Sequence, residues 1–232
     1  MGSEFTIPIE ASPARRADLR RMQMLQKRSK VSGWQEKSLR EALIELDKIC
    51  EDLAIPKGVK GEASVIYRKA RSKGITGGRD LRQVLGAVVF VVCRIRALPR
   101  TEKEVIDSLV ARYGFERRSS MKTLRKISRR LSHELGLEMR RIPADEYIDK
   151  FSSQMSLSRA VIEQAHELHR RTPKRYTGTK SPILAAAVFI YLGAREVDEG
   201  LTLKKVAESL AVGISSLSQN VTRFKDILEA ER

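Results

Sequence analysis

An all-α fold of two tandem five-helix units, the second ending in a helix-turn-helix, is predicted from three observations. Apolar residues recur at helical spacing throughout, and no stretch alternates as a strand would. Two segments, Leu81–Arg94 (LRQVLGAVVFVVCR) and Pro182–Arg195 (PILAAAVFIYLGAR), are apolar nearly all round, the pattern of a central helix surrounded by others. The order of words also repeats. Leu46-Asp47-Lys48-Ile49 precedes the first apolar helix and Ile148-Asp149-Lys150-Phe151 the second. Thr101-Glu-Lys-Glu-Val105 follows the first and Thr202-Leu-Lys-Lys-Val206 the second. A duplication at this period means two similar globular units with a cleft or two-part surface between them.

The elements follow in order. Met1-Gly-Ser-Glu-Phe5 reads as a cloning remnant (residues 1–5), so the natural chain is expected to begin upstream. Residues 6–33 form a strongly basic leader with early prolines, expected to order on a partner, with Leu19, Met22 and Leu25 at helical spacing. The first unit spans 34–141. Ser32 with Gln35 is a capping-box pattern for its first helix, which carries Leu39, Leu43, Leu46, Ile49 and Leu53 on one face. Pro56 opens the second helix, and Gly74, Gly77 and Gly78 end it before the central helix. Thr101 caps the fourth helix, and the fifth follows Arg118. The second unit spans 142–232, with helices starting near Ala144, Ser158, Ser181, Thr202 and Ser215; Ser181-Pro182 is a favourable N-cap and N1 pair.

The 232 residues suffice for two domains of about 100 residues each, a common size. The formal charge of +16 points to a polyanion rather than a small neutral substrate. No run reaches the length of a membrane span. Cys50 and Cys93 sit in apolar helical patterns and are expected to be buried free thiols in a reducing, intracellular compartment.

Three features carry binding chemistry. The stretch 202–223 reads as a helix-turn-helix. Val206, Leu210, Val212, Leu217 and Val221 fill its wedge around small Ala207, and Ser215, Ser216, Ser218, Gln219, Thr222 and Arg223 face outward toward groove edges and phosphates. The loops before the central helices bring Arg71, Lys73 and Arg79 to one helix start, and Lys174, Arg175, Lys180 and Ser181 to the other. Cations and free N–H groups there would suit phosphate. Gly74, Gly77 and Gly78 lack the rest of a nucleotide loop, which excludes ATP and GTP. The third feature is the basic run Arg117, Arg118, Lys122, Arg125, Lys126, Arg129 and Arg130, which a solvated helix face also accounts for. Enzyme signals are poor. His166 and His169 stand three apart with no ligand set to complete a metal site, and no nucleophile has a base at a fixed relation, so neither a catalytic nor a metal residue is assigned.

In this order the words resemble the archaeal transcription factor B and eukaryotic general transcription factor IIB family, and the five-helix unit resembles the cyclin fold. The matches are Arg28-Ser-Lys-Val31-Ser32, Leu39 to Ile49, Ile66-Tyr67-Arg68-Lys69-Ala70, Gly78-Arg79, Cys93-Arg94 and Pro99-Arg100-Thr101 in the first repeat. In the second they are Lys180-Ser181-Pro182, Ala185-Ala186-Ala187, Ile190-Tyr191 and Val206-Ala207-Glu208. The resemblance covers nearly all of residues 15–230. It implies a non-enzymatic initiation factor of the archaeal nucleoid, or of the nucleus in a eukaryote. Such a factor binds TATA-binding protein on double-stranded promoter DNA and helps recruit RNA polymerase. The two repeats clamp the DNA, and an acidic edge of TATA-binding protein lies in the cleft between them. Lys180, Ser181, Lys204, Lys205, Ser215, Ser216, Ser218, Gln219, Thr222, Arg223 and Arg79 would then face DNA. Arg117, Arg118, Lys122 and Arg125 would face TATA-binding protein or the DNA backbone, and Arg20, Arg21, Lys27 and Arg28 a polymerase-facing linker. The family's zinc ribbon is not among these residues, so no cofactor is expected for this stretch. Two departures stand out. Ser215, Ser216, Leu217 and Ser218 replace the family's Val-Thr-Val/Ile-Arg run, so a base-reading arginine becomes a serine, at a cost of about 1–3 kcal/mol of discrimination. Asp80 and Leu81 replace the usual residues of the first loop. A divergent paralogue with altered upstream-element reading is implied; a cyclin-like protein-interaction module and a stand-alone regulator are the alternatives.

Overall fold

The computed structural model describes the backbone of residues 13–173 and 181–230, and their side chains apart from 13–17, 25–32 and 228–230. The described residues form ten helices and no strand. The first repeat holds α1 (Pro13–Asp52), α2 (Lys57–Ser72), α3 (Leu81–Ile95), α4 (Glu102–Tyr113) and α5 (Arg117–Leu135). The second holds α6 (Ala144–Gln154), α7 (Arg159–Arg171), α8 (Pro182–Glu196), α9 (Leu203–Leu210) and α10 (Ile214–Ala230). No helix among the described residues is long and apolar enough to cross a membrane.

Each repeat wraps four helices around its apolar one. In α3 every residue from Val84 to Cys93 is buried, and α1, α2, α4 and α5 all pack on it. In α8 the buried run is Ala185 to Ile190 and Leu192 to Ala194, enclosed by α6, α7, α9 and α10. The two cores are separate clusters. Cys50 and Cys93 are buried free thiols in the first, and burial pushes them up to about 12 and about 11. The duplication extends to strained turns. Ala54 and Ala97 leave α1 and α3 with φ of +47° and +53°, and Ser156 and Asp198 leave α6 and α8 with +53° and +57°. Each lets the following N–H turn back to a carbonyl of the preceding helix, as in Ile55 to Cys50 at 2.8 Å and Leu157 to Ser152 at 3.0 Å.

Two boundary expectations are corrected. The first helix does not begin at Ser32. It runs unbroken from Pro13, so the basic leader after residue 12 is helical and continuous with the first repeat. Nothing at Ser32 breaks helical propensity, so a capping-box pattern inside a longer helical stretch has no terminus to cap. Helix α5 is capped one residue before the predicted basic run: the Glu116 carboxylate accepts from Arg118 N at 2.7 Å and Ser119 N at 2.5 Å. Thr101 caps α4 as expected, in a full capping box. Its Oγ1 accepts from Glu104 N at 3.1 Å, and its own N–H donates to Glu104 Oε2 at 2.7 Å.

Candidate nucleic-acid and partner interface

The helix-turn-helix is built by small residues and one left-handed turn. Ala207, buried on α9, leaves room for α10 to cross close by. Ala211 ends α9 at φ +57°, and Val212 N–H returns to Ala207 O at 3.0 Å, turning the chain into α10 within three residues. Val206, Leu210, Leu217 and Val221 fill the wedge, with Val212 half-buried beside them. Phe224, which the sequence reading omitted, locks α10 to the core, its ring 5.2 Å from Phe189 in an edge-to-face pair. Its offset of seven from Leu217 was the available signal.

With Leu217, Val221 and Phe224 inward, Ser215, Ser218, Gln219, Thr222 and Arg223 are exposed and Ser216 is half-buried. Asn220 faces the wedge, and its Nδ2 donates to Ser216 O at 2.7 Å. Lys204 and Lys205 are exposed in the first turn of α9, whose N-cap is Thr202. Two cations at the positive end of a helix dipole are unfavourable in the free protein and favourable beside phosphate.

The loops before the central helices prove unequal. In the first, Asp80 Oδ1 accepts from Arg82 N at 2.9 Å and Gln83 N at 3.2 Å, so a carboxylate already fills the anion position of α3. Arg79 turns inward and holds its own loop, donating to Ile75 O at 2.7 Å and Gly77 O at 3.1 Å. Arg71 donates to Gln35 O and Lys73 to Glu134 O. In the free protein the cations of this loop brace the fold. In the second loop, Ser181 makes no side-chain cap on α8, Pro182 stands at the first turn, and Ser181 is exposed. Among the described residues no side chain caps that helix start. Lys174, Arg175 and Lys180 lie outside them.

Between the repeats lies a cavity of about 620 Å³. One wall carries Arg94 from the end of α3, Thr101 to Lys103 at the start of α4, and Arg117, Met121 and Arg125 of α5. The facing wall carries Ser181 and Ile183 of α8 and the turn Leu210 to Val212. The fold thus gathers Arg117, Arg125 and Ser181, far apart in sequence, around one apolar floor. Arg117 is ion-paired with Asp107, and Arg125 with Glu102 at 2.7 Å, so both arginines are pre-oriented. Arg118 and Lys122 point to solvent on α5, outside the cavity lining. On α1, Arg20 and Arg21 are exposed; the side chains of Lys27 and Arg28 lie outside the described residues.

His166 and His169 meet two carboxylates from α6: His166 Nε2 lies 2.7 Å from Asp149, and His169 Nδ1 2.6 Å from Asp145. Helices α6 and α7 are thereby tied by His–Asp pairs. Among the described residues no group of three or more His, Cys, Asp or Glu is placed to hold a metal ion.

The family model of the transcription factor TFIIB repeat matches twice, over residues 35–120 and 137–227. The chain is 32% identical to the transcription initiation factor IIB of Archaeoglobus fulgidus over 92% of its length and 63% of the relative's. It is 33% identical to that of Pyrococcus abyssi over 92% of this chain and 69% of the relative. The Pyrococcus furiosus protein of the same name is 31% identical over 99% of this chain and 74% of the relative. The chain spans about two thirds of the length of the curated relatives it matches.

Proposed function

The chain belongs to the transcription factor TFIIB repeat family, and on that premise we propose that it is a transcription initiation factor acting on promoter DNA together with TATA-binding protein. Proteins of this family are transcription factors, not enzymes, and no catalytic residue is assigned here. The observation that carries the reading is the inter-repeat cleft, where a first-repeat wall of Arg94, Glu102, Lys103, Arg117 and Arg125, basic on balance, faces Ser181 and the helix-turn-helix turn. An acidic protein edge suits that cleft: its floor of Met121, Ile183, Leu210 and Val212 accepts apolar contacts while the rim supplies cations. Phosphates on either side meet the open start of α8, Lys204, Lys205 and the basic face of α5. The basic α1 extension is the segment that would run toward RNA polymerase. Such a factor works beside the genome, in the nucleoid of an archaeal cell.

We propose further that upstream-element reading is altered. The exposed stripe of α10 offers Ser215, Ser218, Gln219 and Thr222, with no arginine before Arg223. Serine discriminates bases less than a bidentate arginine does. The test is a gel shift of a TATA-containing duplex with the chain alone, with archaeal TATA-binding protein alone, and with both. A ternary band that appears only with both proteins and falls steeply with salt is expected. Equal binding with and without TATA-binding protein sinks the proposal.

A further inference from the structure

The two repeats share a sequence word whose lysine they use differently. Lys48 of Leu46-Asp47-Lys48-Ile49 lies along its own helix, bonded to Glu45 at 2.7 Å, with a side chain 44% exposed. Lys150, its counterpart in Ile148-Asp149-Lys150-Phe151, has a side chain only 8% exposed and leaves its repeat altogether. Its ammonium donates to Pro99 O at 2.7 Å and to Glu104 Oε1 and Oε2 at 2.5 and 2.6 Å, all in the first repeat. Glu104 is already fixed, because the same carboxylate closes the capping box of α4 on Thr101. The methylene stem of Lys150 leans on Phe151, with its Nζ 4.9 Å from that ring.

The seam around this pair is thin. Substantial helix packing occurs only within a repeat, and the two hydrophobic cores do not merge. Cavities of about 860 and 620 Å³ each take lining from both repeats. The first turn of α4 borders both, through Glu104 in one and Thr101 to Lys103 in the other. A lysine satisfied by three acceptors at that turn has unusual leverage. Apolar packing is non-directional and weak across so small a seam, whereas a buried charge pair with a carbonyl tolerates only one geometry.

We propose that Lys150 is the positioning residue of the joint: by pinning α6 to the capped start of α4, it sets the opening of the cleft before any partner arrives. The role in partner affinity rests on the promoter-complex reading above; the role in fixing the joint does not. A pre-set cleft spares the partner the cost of selecting one inter-repeat arrangement from many.

The experiment compares the parent chain with Lys150→Met and with Lys150→Met/Glu104→Gln. Methionine keeps most of the stem's volume, and glutamine still serves a capping box. Spin labels go on Lys69→Cys of α2 and Ser209→Cys of α9, both exposed, while the native thiols are buried and react slowly. The parent should give one narrow distance population. Lys150→Met should melt earlier, because partly buried Glu104 loses its closest cation and keeps only Arg100 at 3.8 Å and the Thr101 N–H, and the double variant should recover most of that stability. Its distances should nevertheless stay broad. If one molecule in ten keeps the parent spacing, the apparent dissociation constant for the complex of TATA-binding protein with duplex DNA rises about tenfold. A double variant as narrow as the parent overturns the proposal. A broadened joint with unchanged affinity overturns the role in partner affinity and leaves only the role in fixing the joint. If the parent itself ignores the complex, the promoter reading fails, and the distance distribution still decides whether Lys150 fixes the joint.

Discussion

The two glycines of the central helices should respond to the same substitution with unequal consequences. An added Cβ at Gly193 of α8 would lie 3.0 Å from both Ala165 N and Val161 O, backbone atoms of α7. A rigid helix backbone yields only if α7 and α8 separate, and overpacking of this kind costs about 1–3 kcal/mol. Alanine returns about 1 kcal/mol of helix propensity, so the net loss for Gly193→Ala lies in the range of about 0–2 kcal/mol, centred on about 1 kcal/mol. At Gly86 of α3 the added Cβ meets Leu109 Cδ1 at 2.8 Å, the far end of a flexible side chain. Rotating that methyl away costs less than moving a helix, and the propensity gain offsets most of it, so Gly86→Ala should change stability by no more than about 0.5 kcal/mol. Urea unfolding followed by helical circular dichroism measures both, with the slope checked for constancy. Gly86→Ala proving the worse of the two would refute the distinction between backbone and side-chain contact. The result also bears on function, because α8 carries the helix start at Ser181 and the packing surface of α10.

Three further outcomes follow from the charge arrangement. Lys204→Ala/Lys205→Ala should lower the salt slope of DNA binding by about 2 and raise the free protein's stability by a few tenths of a kcal/mol, since both cations oppose the α9 dipole; binding titrations across salt, together with melting, check the pair of signs. Arg79→Ala should leave DNA affinity unchanged while costing about 1 kcal/mol of stability, because its guanidinium holds Ile75 and Gly77 carbonyls rather than solvent-facing phosphate. Acid should weaken the fold. The Arg112 guanidinium holds Asp52 below its ordinary value; burial raises Glu104, but the ammonium of Lys150 and the Thr101 N–H outweigh it and leave it lowered. Depressed folded values mean stability that is present above roughly pH 4, the unfolded range, and lost as pH falls through the folded values. Asp52→Asn should flatten that loss in urea unfolding at pH 6 and pH 3.

The helices were legible because each carries one long apolar face and most carry a chemical start signal. Thr101 caps where it was read to cap, and Ser158 and Thr202 stand at the helix starts read near them; the oxygens of all three accept helix N–H groups, whereas Ser181, read as a cap, makes no such bond. The wedge of the helix-turn-helix was legible for the same reason: Val206, Leu210, Leu217 and Val221 follow local spacing. The bracing role of Arg79 was not legible, because a basic residue beside glycines looks the same in sequence whether it faces solvent or closes its own loop. Only the carbonyls of Ile75 and Gly77, presented by the turn, decide between them. The cleft was expected from the duplication, but its lining was not. Arg94, Lys103 and Met121 join it through packing between helices distant in the chain, which no local period encodes. Lys150 was hidden for a related reason. Its word matches that of Lys48, and nothing within four residues says that one lysine stays on its helix while the other crosses to Glu104.

This asymmetry accounts for how a duplicated fold acquires a direction. Two identical repeats would present equivalent helix starts and could bind a polyanion in either sense. Here Asp80 fills the N-terminal anion position of α3, and a second negative group there would meet a carboxylate instead of free N–H groups. The corresponding start of α8 carries exposed Ser181 without a side-chain cap. On the proposed reading, phosphate would be disfavoured at the start of α3 and admitted at that of α8. The first repeat compensates elsewhere, with exposed Arg118, Lys122, Lys126, Arg129 and Arg130 along α5. A polyanion laid across the molecule thus meets a broad basic helix on one repeat and a helix start beside a groove-sized α10 on the other. On the proposed reading, the unequal surfaces would fix which end of the DNA faces the helix-turn-helix. Because non-specific phosphate contacts set register but not sequence, that orientation would not depend on which bases α10 reads. Asp80→Ala should weaken it: removing the capping carboxylate opens the α3 start and makes the two repeats more alike, and cleavage by a DNA-cutting label on Ser209→Cys should then appear on both flanks of the TATA element instead of one.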